Sequence, residues 1–250
     1  GLRGEESDGD QAFVKTLAKK YNLPLFCEKV DTLAFKKKNK LSLEEAARKL
    51  RYEFFERALH DINANSLATA HTADDQAETV IDHFLRGSGM LGLAAMQVRR
   101  NIFIRPMLCF SRAELDAYAK QEKLTFREDR SNRDLSFKRN RIRHELIPYL
   151  KEHFNPNLVA TLNRSAAIFY ETENHFKRVA KDACKSLVSL QKKNEISLEI
   201  EGFLNYNKQI RNYVLFGCFE LLGIDRNKID FCKLHQINRL IGRREIGKKL

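Results

Sequence analysis

At 250 residues, 43% hydrophobic and 31% charged, the chain can bury a substantial core, which excludes a disordered, fibrous or low-complexity protein. Its five cysteines, Cys27, Cys109, Cys184, Cys218 and Cys232, form none of the close pairs of zinc or redox motifs, and no apolar run approaches the roughly 20 residues that span a bilayer. The formal charge of +12 divides as +2 on residues 1–125 and +10 on residues 126–250, a weak signal of a polyanionic partner such as a nucleic acid.

Residues 1–8 are too acidic and polar for a signal peptide, and the chain opens without methionine, as an incomplete chain would. With the scattered cysteines, this fits a reducing, cytoplasmic setting. Residues 10–21 carry Phe13, Val14, Leu17 and Tyr21 at helical spacing, and residues 25–30 read as a short strand. The run Lys36-Lys37-Lys38 reads as a solvated loop. Ser42 and Glu45 form a capping box that opens a helix to about Leu59, with Leu43, Ala47, Leu50, Phe54 and Ala58 on its apolar face.

Residues 66–70 suit a buried strand, and a helix from Ala73 to Leu85 follows at once. Residues 102–104 form a further strand before Arg105-Pro106, and Ser111 with Glu114 caps a helix to about Glu122. This alternation predicts an α/β fold with a doubly wound parallel sheet over residues 1–134. The polar stretch Arg127-Glu-Asp-Arg-Ser-Asn-Arg-Asp134 reads as a linker, and a smaller helical domain is expected over residues 135–250. Asn155-Pro156 should begin its long helix, whose apolar spacing runs to Leu190, and shorter helices are expected over 209–222 and 228–241.

The segment His71-Thr-Ala-Asp74-Asp75-Gln76-Ala-Glu78-Thr79 lies at the carboxyl end of a predicted strand, where open α/β sheets bind ligands. Asp75, Glu78 and Asp82 share one helical stripe, opposite Ala73, Ala77, Val80, Ile81 and Phe84, so these carboxylates should point away from the core. Spacing alone favours Thr72 as helix cap with Asp75 closing a capping box. Alternatively, the stripe receives a cationic amine and helps remove its proton. His71 is either a nucleotide contact or an ordinary strand-end histidine.

Arg48 and Arg51 belong either to a solvated helix edge, paired with Glu44 and Glu45, or to a phosphate clamp. The spacing of Gly87, Gly89 and Gly92 matches a dinucleotide fingerprint, but no strand precedes it, so helix termination by Gly87 and a flexible loop explain these glycines better. Arg139, Arg141 and Arg143 follow the linker, either as a solvated basic face or as a surface reaching a substrate between two domains.

Taken together, Gly1-Leu-Arg-Gly-Glu-Glu-Ser7, Leu41 to Tyr52, His71 to Thr79, Leu85-Arg-Gly-Ser-Gly89 and Glu128 to Pro148 resemble the tRNA(Ile)-lysidine synthase family over residues 1 to about 150. The resemblance implies an N-type ATP pyrophosphatase (PP-loop) fold that uses ATP and Mg2+ to adenylate C2 of the wobble cytidine of tRNA(Ile) with a CAU anticodon. L-lysine is then joined at that carbon, with release of AMP and pyrophosphate. By motif position, Asp75, Glu78 and Arg143 are catalytic, and Asp75 and Glu78 also hold the lysine. Arg51 and His71 serve the nucleotide, while Arg139, Arg141 and Arg143 meet the tRNA. No metal site and no membrane association are read from these residues, and a homodimer stays open.

The family's Ser-Gly-Gly-x-Asp-Ser loop, first strand and Mg-linked aspartate are expected upstream of Gly1. Residues 1–250 contain no such loop, so this stretch alone is expected not to adenylate tRNA. A C-terminal tRNA-recognition domain is expected to be absent or cut short near Gly247-Lys248-Lys249. Two readings compete: a related PP-loop tRNA thiolase, against which the scattered cysteines count, and a non-catalytic tRNA-binding pseudoenzyme.

Overall fold

The computed structural model of the chain describes residues 5–128, 130–192, 194–224, 229 and 231–243. Gly1 to Gly4 of the motif set, Asp129, Lys228 and Gly247-Lys248-Lys249 therefore lie outside the described residues. Contacts divide the chain into two compact units, residues 1–82 with 96–161, and residues 83–95 with 162–250. The division falls after Thr161 rather than after Asp134, because the arginine-rich segment is ion-paired into the first unit.

The first unit opens with α1 (Glu5–Lys20), α2 (Thr32–Asn39) and α3 (Leu43–Asp61). The lysine run read as a loop lies in the last turn of α2, where the helix dipole favours cations. Asp31 starts that helix by accepting from the Ala34 amide at 2.9 Å, and Lys40 ends it with a left-handed φ of 54°. The Ser42–Glu45 capping box forms as read. Residues 25–30 are not a strand: their backbone joins no ladder among the described residues, and the segment is tied to α3 through the Glu28–Arg57 ion pair. A short apolar run shows that a segment could pair, not that a neighbour is present.

Next come β1 (Leu67–Ala68), α4 (Ala73–Leu85), α5 (Met90–Leu93), β2 (Arg99–Arg100), β3 (Phe103–Ile104) and α6 (Arg112–Gln121). The sheet order is β1-β3-β2, with β1 and β3 parallel and β2 antiparallel to β3. Of the apolar face expected on α4, Ala77, Val80 and Ile81 are buried while Phe84 is exposed. Gly87 ends α4 with φ of 74°, which a side chain would strain, while the Ser88 amide reaches back to the His83 carbonyl at 3.0 Å. A Cβ on Gly92 would lie 2.5 Å from the Ser88 Cβ, so this glycine is there for close packing.

The expected linker is pinned rather than loose. Asn140 donates to the Asp134 carbonyl at 2.8 Å, the His144 ring bonds the Asn132 carbonyl at 2.8 Å, and Asp134 accepts from the Ser136 amide at 2.9 Å. The chain then forms α7 (Lys138–Arg141), a π turn over Ile142–Leu146 and α8 (Ile147–His153). The Ile147 amide closes the π turn on the Ile142 carbonyl, and Pro148, which has no N–H to give, follows in the first turn of α8.

The long helix α9 (Leu158–Leu187) begins two residues later than Asn155-Pro156 suggested, because the Asn155 side chain forms a turn with the Asn157 amide at 2.9 Å. It also stops before Leu190. The Leu187 carbonyl accepts from the Glu199 amide at 2.8 Å, and β4 (Val188–Lys192) pairs antiparallel with β5 (Glu195–Leu198). After α10 (Ile200–Leu204), α11 (Lys208–Leu221) and α12 (Phe231–Arg243) complete the second unit. Its core joins Ala180, Ala183, Leu187, Phe203, Tyr213, Val214, Leu215, Cys218 and Leu234. The buried Glu173 within it is held by the Tyr213 hydroxyl and by Lys177 at 3.4 Å. No described helix is long and apolar enough to cross a membrane.

Candidate active site

The site is built where β1 runs into α4. The Thr69 amide donates to the Ile104 carbonyl at 2.9 Å, extending the parallel pairing past β1, and the Thr69 hydroxyl bonds His71 Nδ1 at 2.9 Å. Thr72 then caps α4. Its amide and hydroxyl donate to Asp75 Oδ2 at 2.8 and 2.9 Å, and the Asp75 amide returns a bond to the hydroxyl at 3.3 Å. The capping account is therefore correct for one carboxylate oxygen.

The other oxygen, Oδ1, accepts from Arg139 Nη2 at 2.8 Å and Arg143 Nη2 at 2.9 Å. One turn on, Glu78 Oε2 accepts from Arg139 Nε at 2.8 Å and Arg143 Nη2 at 3.0 Å, while Oε1 accepts from Arg143 Nε at 2.5 Å. Lys138 Nζ lies 2.7 Å from Asp82 Oδ1. A basic segment 60 residues away in sequence thus covers the acidic stripe.

The expectation that these carboxylates point away from the core needs correction. The Glu78 side chain is 2% exposed and that of Asp75 16%. A helical wheel identifies the face but not what lies over it. Two carboxylates against two guanidiniums leave the cluster locally neutral, and each charge keeps hydrogen bonds, which is what permits its burial.

Burial alone would raise the Asp75 pKa, but the Thr72 hydrogen bonds and the Arg139 and Arg143 charges outweigh it and hold the carboxyl below its ordinary range. Burial alone would lower that of Arg143, but hydrogen bonding to Glu78 and the charges of Glu78, Asp75 and Asp74 prevail and raise it. His71 is pushed down, mainly by burial, against the pull of Asp75 and with help from Arg105, Arg139 and Arg48. Its ring is therefore largely neutral near pH 7.

A second cluster of cations gathers beside the strand ends. The Arg48 guanidinium lies 5.0 Å from the Tyr52 ring centre, and Tyr52 packs edge-on against Phe103 of β3 at 4.9 Å. Arg105 donates through Nη1 to the Gln97 carbonyl at 2.8 Å, whereas its Nε is buried without a hydrogen-bond partner. Of the two α3 arginines singled out by sequence, Arg48 rather than Arg51 acts on His71, and Arg51 is exposed. Arg141 is also exposed, 3.5 Å from Glu145 of its own segment.

Sequence reasoning missed Arg105 and Gln76. The buried Gln76 amide donates to the Met96 carbonyl at 2.9 Å and accepts from the Met96 amide at 2.8 Å. A glutamine beside the apolar face of α4 was the available signal.

Residues 1–150 match the family model for the PP-loop domain. Curated relatives carrying the name tRNA(Ile)-lysidine synthase align along most of the chain. The protein from Geobacter sulfurreducens is 36% identical over 242 residues, covering 96% of this chain and 51% of the relative. One from Clostridium perfringens is 39% identical over 209 residues, covering 81% and 45%, and that of Clostridioides difficile is 30% identical over 250 residues, covering 100% and 54%. The chain spans about half the length of these relatives.

Proposed function

We propose, on the premise that this chain belongs to the PP-loop domain family, that it carries the reaction centre of an ATP-dependent ligase that joins lysine to the wobble cytidine of tRNA(Ile). The observation that carries this reading is the pairing of Asp75 and Glu78 with Arg139 and Arg143 beside the end of β1. The cytidine C2 oxygen attacks the α-phosphorus of ATP and expels pyrophosphate. The lysine ε-amine then attacks C2, AMP departs with that oxygen, and the amine loses its protons.

All four oxygens of Asp75 and Glu78 accept hydrogen bonds from residues that cover them, so in this reading an incoming lysine ammonium takes the place of a donor. Arg139 is the candidate, being 52% exposed against 31% for Arg143. Arg139 is one of the groups that hold Asp75 low, so its departure raises the carboxylate's proton affinity as the amine arrives. Arg143 stays on Glu78 and offers positive charge to the departing phosphate. Arg139 in its displaced position, and Arg141, meet tRNA phosphates.

For the nucleotide, the fit rests on the orphaned, buried Arg105 Nε, a donor that a ribose or phosphate oxygen would satisfy. Arg48, Arg51 and the neutral His71 complete that side of the site. In this reading Mg2+ accompanies the ATP phosphates, as the resemblance implies. The parallel β1–β3 pair supports a doubly wound sheet in the whole protein. Cytoplasmic location and pairing of two copies are further parts of this reading.

The test uses the full-length protein with tRNA(Ile) and ATP, reading pyrophosphate release without lysine and lysine incorporation with it. Asp75→Asn should retain the first within a few-fold and lose about 100-fold in the second. Wild-type protein that releases no pyrophosphate would favour a tRNA-binding pseudoenzyme, and incorporation of sulfur instead of lysine a thiolase. Equal loss in both half-reactions would remove Asp75 from the lysine site.

A further inference from the structure

Residues 138–153 form one continuous helical run through α7, the π turn and α8, and Arg139 and Arg143 near its start pair with Asp75 and Glu78. Arg141, Glu145, Tyr149 and His153 follow at four-residue steps and so share its outer side. At the far end three aromatic rings meet in the open. The Tyr149 and His153 ring centres are 4.6 Å apart and tilted by 55°, and Phe154 stands 6.0 Å from Tyr149, tilted by 56°. Tyr149 is 53% exposed and Phe154 71%, so the rings pack on one another and leave much of their surface to solvent.

The cluster is held rather than loose. The Phe154 and Asn155 amides both donate to the Leu150 carbonyl, at 3.1 and 2.9 Å, which fixes the helix end that carries Phe154. The Asn155 side chain bonds the Thr161 hydroxyl at 3.3 Å and the Asn157 amide at 2.9 Å. Rings on a fixed backbone lose little freedom when something covers them.

Size and charge restrict what covers them. At these exposures Tyr149 and Phe154 offer roughly 250 Å² of side-chain surface, against roughly 800 Å² from each partner of a standard protein interface. Arg141 is offset by Glu145 at 3.5 Å, and Glu152 stands 4.0 Å from His153, so this side of the run selects by stacking rather than by charge. A nucleobase, flat and with an apolar face, fits it.

We propose that Tyr149, His153 and Phe154 form a stacking platform for an unpaired base close to the target cytidine in the RNA loop, an inference that rests on the tRNA reading above. Tyr149 lies about 9 Å along the helix axis from Arg143, a span that neighbouring nucleotides of one strand bridge. A base stacked there fixes the loop while the cytidine enters beside Asp75 and Glu78. Tyr149 is thus a positioning residue.

The test uses the full-length protein and tRNA(Ile) carrying 2-aminopurine at one anticodon-loop position at a time, a probe whose fluorescence falls when the base stacks. Wild type should quench it at one or more positions beside the cytidine. Tyr149→Ala should abolish that quenching and weaken tRNA binding about 5- to 20-fold, the lower part of the range for one base–aromatic stack. The factor should be the same at every salt concentration, because no phosphate contact is lost. Tyr149→Trp should restore both readouts. Quenching that survives Tyr149→Ala, or unchanged affinity, would overturn the proposal. A changed oligomeric state or a lower melting midpoint of the RNA-free variant would also overturn it, assigning the rings to a second copy or to another part of the protein. Pyrophosphate release by wild type is read on the same samples. Its absence with Tyr149-dependent quenching intact would remove the ligase reading and leave the platform, whereas release without that quenching would remove the platform alone.

Discussion

Glu78→Gln replaces a carboxylate that receives three hydrogen bonds from two guanidiniums, at 2.5, 2.8 and 3.0 Å. The amide keeps one acceptor oxygen, and its NH2 group turns donors toward the arginine donors. Removing one partner of a fully buried ion pair costs about 3–5 kcal/mol because the other charge is stranded. Here Asp75 remains, and water reaches side chains that are 52% and 31% exposed, so the expected loss falls to about 2–3 kcal/mol. For a unit of this size that lowers the melting midpoint by about 4–12 °C. Circular-dichroism melts and urea titrations of wild type, Glu78→Gln, Arg143→Gln and the double variant measure it. The pair should show a coupling energy of about 1–3 kcal/mol. A loss under about 0.5 kcal/mol, or simple additivity, would mean that the cluster does not hold residues 138–146 on α4.

Three further outcomes follow from the same geometry. Because the folded-state pKa of Asp75 is depressed, its stabilisation is present above the unfolded value of about 3.9 and is lost as pH falls through the lower folded value. Wild type should therefore lose stability more steeply than Asp75→Asn below about pH 4, and parallel acid limbs in urea melts would contradict this. In tRNA binding across a salt series, Arg141→Ala should reduce the log–log slope by roughly 0.7–0.9, and Arg139→Ala by less, because Arg139 is already neutralised by Asp75 and Glu78. Equal slopes would assign both to solvent or both to phosphate. Gln76→Ala strands the amide and carbonyl of Met96 and should cost about 2 kcal/mol in urea unfolding, a neutral result showing that water replaces the clamp.

Local chemistry was legible in the sequence wherever the cause lay within a few residues. The Ser42–Glu45 and Ser111–Glu114 capping boxes, the Thr72 cap and the span of α4 all formed as read, since each depends on a side chain reaching a backbone group three residues away. The apolar spacing through Leu190 failed to mark the end of α9, because the same spacing serves a helix face and a strand folding back on it. The lysine run was misread for a related reason, its helix being fixed by Asp31 upstream.

The sequence by itself determined the motif set, the caps and the acidic stripe on α4, because these follow from helical geometry and short-range hydrogen bonding. It could not determine that Glu78 is buried, that Arg139 and Arg143 both reach it, or that Arg48 rather than Arg51 acts on His71. Those facts depend on segments distant in sequence meeting across the first unit, the arginines reaching Glu78 from more than 60 residues away. Charge pairing over that distance is set by packing, since a carboxylate is excluded from water only when another part of the chain supplies both the cover and the compensating charge.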